Sequence, residues 1–128
     1  MTLRIYLTAL VSFLVFDLVW LGVIARGFYR DQIGFLLRET VFWPGAIAFY
    51  LLFVAALVHF AIAPQLKEGT LAGALANAAF FGLATYAAYD LTNLATTKDW
   101  PLLITLVDLS WGAVLSALVA LVTFKLNS

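Results

Sequence analysis

Four apolar runs, Ile5 to Ala25, Val41 to Ala63, Leu71 to Ala95 and Leu102 to Phe124, occupy most of this 128-residue chain. Each is close to the ~20 residues that a helix needs to cross ~30 Å of hydrocarbon. Inside a bilayer no water satisfies the backbone N–H and C=O groups, so an isolated apolar run must be helical. The sequence therefore implies an all-α fold, an integral membrane bundle of four transmembrane helices, with residues 1–128 as a single domain. Composition agrees, because 65% apolar residues, 11% charged residues and a mean hydropathy of +1.04 lie far outside the range of soluble domains. The first run follows Arg4 and contains Val23 and Ala25 at positions acceptable before a cleavage point. It is long for the apolar region of a signal peptide and carries Asp17, so a retained helix is expected.

Seven basic and seven acidic side chains balance, which leaves no basic stripe and no nucleic-acid partner. The lack of cysteine excludes disulfides, iron–sulfur clusters and thiolate zinc sites. No lysine lies inside a run, so a retinal-type Schiff base has no amine, and the lone His59 cannot supply a bis-histidine haem. His59 is read as structural. Ser12, Ser110 and Ser116 have no histidine at their depth, and the chain has neither a Gly-x-Ser-x-Gly elbow nor a phosphate-cradling glycine loop. No cofactor, metal or catalytic residue is assigned, and the expected partner is the lipid bilayer.

The connections differ in character. Arg26 to Thr40 mixes Arg26, Arg30 and Arg38 with Phe28, Tyr29, Ile33, Phe35, Leu36 and Leu37. This suits an interfacial helix between the first two spans, and equally a polar loop whose aromatics cap the bundle. Pro64 to Thr70 reads as a tight turn. Thr96 to Pro101 is a short connection in which Pro101 suits the first turn of the fourth helix, and Trp43 and Trp100 fall where interfacial aromatics belong. Four spans put both termini on one side, here side A. Side B carries Arg26, Arg30, Arg38 and Lys98 against Arg4, Lys67 and Lys125 on side A, an excess of one that favours termini outside.

The chemistry should lie at Asp17, Asp90 and Asp108, each in a span that holds no basic residue. A charged side chain at the centre of a helix costs about 2.5–3.5 kcal/mol on insertion scales, so such acids must be hidden, paired or protonated. All three fall in the side B half. Helical spacing groups Tyr6, Leu10, Phe13, Asp17, Trp20 and Ile24 on one face of the first span. Gly82, Leu83, Tyr86, Asp90, Asn93 and Thr97 share a face of the third, and Thr105, Asp108, Trp111, Gly112 and Ser116 share one of the fourth. If these faces meet, Asp17, Trp20, Tyr86, Asp90, Asn93, Thr105, Asp108 and Trp111 form one ligand or proton site floored by aromatics. With Thr92, the same oxygens would suffice for a hard cation. The alternative is interhelical hydrogen bonding without a ligand, worth about 0.6 kcal/mol per contact, with Asp90 solvated or capping through Thr92 and Asn93. Asp-Leu-x-Trp occurs twice, at Asp17 and Asp108, without establishing a duplicated unit. Small residues crowd the third span, Ala72 to Ala88, which places it centrally. The stripe Gly45, Ala48, Leu52, Ala55, Ala56 and His59 is expected to pack the second span against the third or against another subunit.

The stretch Tyr86-Ala-Ala-Tyr89-Asp90-Leu-Thr92-Asn93-Leu-Ala-Thr96, then Trp100-Pro101 and Asp108-Leu-Ser-Trp111-Gly112, with Asp17-Leu-Val-Trp20-Leu-Gly22 upstream, resembles the bacterial membrane protein family known as domain of unknown function 2177. The resemblance covers nearly the whole chain. It implies a multi-pass protein of the bacterial inner membrane and transfers no activity to any residue. The leading expectation from the residues themselves is binding of a small polar or cationic ligand, or proton relay, at the aspartates. Two other classes stay open: an accessory or assembly subunit, homo-oligomeric or paired with a partner's arginines, and a membrane enzyme that uses two aspartates as acid and base on lipid or isoprenoid. A non-enzyme is favoured.

Overall fold

A computed structural model describes residues 2–128. These form five helical elements: α1 (Leu3–Ile24), α2 (Phe28–Ile33), α3 (Trp43–Glu68), α4 (Leu71–Thr96) and α5 (Leu102–Asn127). A 3₁₀ turn, Gly34–Leu36, follows α2, and no strand occurs among the described residues. The four long helices are each long and apolar enough to span a bilayer. Thr2 and Thr70 start α1 and α4 as side-chain caps, accepting from the N–H groups of Ile5 at 3.2 Å and Gly73 at 3.0 Å. Up-and-down connectivity returns the chain to its starting end, where the Arg4 guanidinium donates to the Leu126 carbonyl at 2.9 Å.

Several expectations are corrected. The tight turn at Pro64 is absent, because α3 continues through it to Glu68 and the chain reverses at Gly69 and Thr70. Proline lacks an N–H and its ring crowds the carbonyl four residues back. The π turn Val58–Ile62 accommodates it, with the Ala63 N–H donating to the Val58 carbonyl five residues earlier. The small stripe of α3 is not its packing face: Gly45, Ala48, Leu52 and His59 are exposed, while Phe53, Val54, Leu57, Val58, Ala61 and Ile62 are buried. Large side chains on the opposite face fill more of the space between helices.

Nor is α4 the central helix. Only 17% of its most apolar window is buried, against 39% for α5. Its small residues do allow close approach, but on one face, where Ala74, Ala78 and Gly82 are buried. A Cβ at Gly82 would collide with the Gly112 carbonyl and Ser116 of α5. Trp100, expected in the interfacial belt, is 8% exposed and its indole N–H donates to Thr105 at 3.1 Å. Pro101 stands just before α5 as its N-cap residue.

The interior has two apolar zones. The larger one, in the middle and side A part of the bundle, joins Ala9, Phe13, Phe53, Val54, Leu57, Val58, Ala61, Ile62, Ala78, Leu115, Val119 and Ala120. A smaller one at side B joins Ile33, Trp100 and Ile104, with Phe28, Tyr29 and Leu94 packed against it. The connection after α1 is thus both a short helix and a cap on the bundle, so the two sequence readings of it meet.

Candidate functional site

Between the two apolar zones lies the layer that holds the acids. Asp17 is seven residues from the end of α1, Asp90 six from the end of α4 and Asp108 six from the start of α5. At ~1.5 Å per residue all three sit about 9–11 Å below the side B ends of their helices. Each is buried, with Asp90 at 0% exposure.

Asp17 and Asp108 are held by aromatic donors. The Trp111 indole N–H donates to Asp17 Oδ1 at 3.2 Å, and Tyr50 is a second neighbour of that carboxyl. The Tyr29 hydroxyl donates to Asp108 Oδ1 at 2.8 Å and accepts from the Trp20 indole N–H at 2.9 Å. Trp20 and Trp111 stack with centroids 4.5 Å apart and planes 11° apart, which ties the two sets together. Trp20 opens the π turn Trp20–Ile24, in which the Ala25 N–H donates to the Trp20 carbonyl at 2.7 Å. The indole that reaches both Trp111 and Tyr29 thus sits at the start of a wider turn. Burial first, and the Asp108 carboxyl next to it, push the Tyr29 phenol above its ordinary range, so it stays a neutral donor.

Asp90 is different. Neither of its oxygens has a hydrogen-bond donor among the described residues, and its neighbour is the carboxyl of Asp108. It is neither solvated nor engaged with Thr92 and Asn93, the alternative that the sequence left open. Two carboxylates facing each other in a low dielectric repel strongly and lose hydration, so the pair requires a proton or a cation between its members.

Two cavities reach Asp108, and one of them reaches Asp90 as well. One of about 550 Å³ is lined by Phe49 of α3, by Thr85, Tyr86, Ala88 and Tyr89 of α4, and by Asp108. It opens on the flank of the bundle, where Phe49 and Tyr89 are exposed. The other, about 400 Å³, runs from Arg26, Arg30 and Leu37 past Tyr29 and Trp100 to Asp90 and Asp108. Asp108 belongs to both. Tyr86 is set against Gly112, where a Cβ would strike its ring.

The structure thus brings together Asp17, Trp20, Asp108 and Trp111 through direct contacts, with Asp90 against Asp108 and Tyr86 lining the flank cavity. Asn93 and Thr105 are engaged elsewhere. Asn93 Oδ1 accepts from Thr97 at 3.3 Å, and Thr105 accepts from Trp100 while donating to the Pro101 carbonyl at 3.1 Å. The three acids do not form one metal-type cluster; no group of three or more His, Cys, Asp or Glu side chains suited to a metal occurs among the described residues. Sequence reasoning missed Tyr29 and Tyr50. Tyr50 lies seven residues into α3, the same depth as Asp17 in its own helix, so matching depths across spans would have found it. Tyr29 had only a weak signal, a phenol in an amphipathic connection close to a span that holds an unpaired acid.

The family model described as Predicted membrane protein (DUF2177) matches residues 2–125. No curated protein and no solved structure matches the chain.

Proposed function

This chain belongs to the DUF2177 family of predicted membrane proteins, and from that premise we propose that its Asp90–Asp108 pair takes up a small cationic or hydrogen-bond-donating ligand, the proton included. The observation that carries this reading is the fully buried Asp90 carboxyl, which has no donor of its own and faces a second carboxyl. A buried acid left in that state costs stability, and a bound cation or proton offsets the cost. Asp17, Trp20 and Trp111 hold the aromatic frame, and Tyr86 walls the flank. Asn93 and Thr105 act at one remove, steadying the connection beside the pair. The protein is assigned to the bacterial inner membrane.

Infrared difference spectroscopy of the protein in nanodiscs between about pH 5 and about pH 9 tests the proposal. A protonated carboxyl C=O band that responds to pH is expected, and it should vanish in both Asp90→Asn and Asp108→Asn. Acids ionised throughout, with no response of the carboxylate bands to added methylammonium, would overturn it. A second reading, an assembly subunit whose partner inserts an arginine against Asp90, rests on the same unpartnered carboxyl. It requires the protein to leave a mild detergent extract with that partner bound.

A further inference from the structure

We infer that the ligand of this site is an amphiphile drawn from the bilayer, with one apolar chain in the groove between α3 and α4, a hydrogen-bond-donating group at Asp90 and Asp108, and a terminal anion at Arg26 and Arg30. The inference rests on the carboxyl-pair reading above and names the class of ligand.

Four observations support it. Both cavities are lined by Asp108, so the flank opening and the side B opening converge on one acid of the pair. The flank segment is walled by Phe49, Tyr86, Ala88 and Tyr89, a surface suited to an acyl or prenyl chain and exposed in a part of a span that faces lipid. The side B segment changes sign along its length, from buried carboxyls at the floor to two guanidinium groups at the mouth. Asp90, at 0% exposure and without a donor, is among the residues that line that segment.

The order of the lining residues from the flank to side B then dictates the ligand. An apolar chain comes first, a hydroxyl, amide or amine next, and an anion last, because arginine is the side chain best fitted to bind phosphate or carboxylate. Lysophosphatidic acid has this order: its free hydroxyl lies between an acyl chain and a phosphate. Each segment falls within the ~300–1,000 Å³ of small-molecule sites. A soluble cation would use the carboxyls but leave the apolar groove and both arginines without a role.

The test is photo-crosslinking of the protein in phosphatidylcholine nanodiscs with lysophosphatidic acid that carries a diazirine in its oleoyl chain. Label should concentrate on the segments around Phe49 and around Tyr86 to Tyr89. Unlabelled lysophosphatidic acid should displace it, and inorganic phosphate should not. Lysophosphatidylcholine, whose head ends in a cation, should compete at least about tenfold less well. The double variant R26Q/R30Q should weaken displacement by at least about tenfold, since it removes both charge-assisted contacts. Ala88→Trp, which fills the exposed groove, should abolish the label. Label spread evenly over the lipid-facing residues, or displacement unchanged in R26Q/R30Q, would overturn the inference. If that happens while the carboxyl band persists, the amphiphile alone falls; if the label localises but no carboxyl band titrates, the proton version of the site falls and the amphiphile stands.

Discussion

The side A and side B halves of this bundle are built from the same four helices and solve opposite problems. Towards side A, Ala9, Val54, Leu57, Val58, Ala61, Ile62, Val119 and Ala120 close the interior with aliphatic side chains, and the few polar groups there are single hydroxyls such as Ser116 and Thr123. Towards side B, three carboxyls, two stacked indoles and a phenol occupy one layer, and two cavities penetrate it. In lipid there is no hydrophobic drive to bring helices together, so close packing must supply the association. The side A half provides it, and that leaves the side B half able to hold a buried acid that contributes nothing to packing.

The largest effect should come from exchanging the characters of the halves. Ala120→Asp places a carboxyl at a fully buried side A position and should cost about 2.5–3.5 kcal/mol. Asp90→Leu should change stability by less than about 1 kcal/mol or raise it, because it removes a buried carboxyl that faces a second one and receives no donor from the described side chains. Reversible unfolding in mixed micelles measures both. Equal losses for the two substitutions would mean that the halves are not energetically distinct.

Next is Gly82→Leu at the junction. Its side chain would meet the Gly112 carbonyl and Ser116, and overpacking of this kind costs about 1–3 kcal/mol. Gly82→Ala should fall between it and the natural protein in the same assay, and a neutral Gly82→Leu would show that α4 and α5 do not need their close approach. Tyr29→Phe should have a smaller effect, about 1 kcal/mol, since it removes the hydroxyl that joins Trp20 to Asp108 at a half-buried position. Its sharper readout is the Trp20 indole N–H, whose proton resonance should shift; an unmoved resonance would argue against the bond.

The smallest effect is alkaline. The folded phenol of Tyr29 ionises above its ordinary value near 10. The unfolded chain therefore loses that proton first, and stability is expected to be intact below about pH 10 and to fall as pH rises towards the folded value. Tyrosinate absorbance should show one fewer late-titrating tyrosine in Tyr29→Phe than in the natural protein.

The number of spans, the shared side of the termini and the placement of all three acids in the side B half were legible in the amino-acid order alone. Hydropathy summed over ~20 residues sets a crossing, and a fixed rise per residue converts a position into a depth. Which faces meet was not legible in the same way. These helices are apolar nearly all round, so no polar face marks which side turns outward, and rotation about each axis is decided by shape. That is why α5 and not the small-residue α4 became the enclosed helix, and why α3 packs through Phe53, Leu57 and Ile62 instead of its alanine stripe. Tertiary contact alone divided the acids, giving Asp17 to Trp111 and setting Asp90 against Asp108. It also brought Tyr29, from a connection whose composition fitted a loop as well as a helix, onto Asp108, because a hydrogen bond within a membrane bundle depends on a few ångströms of side-chain reach that no hydropathy pattern encodes.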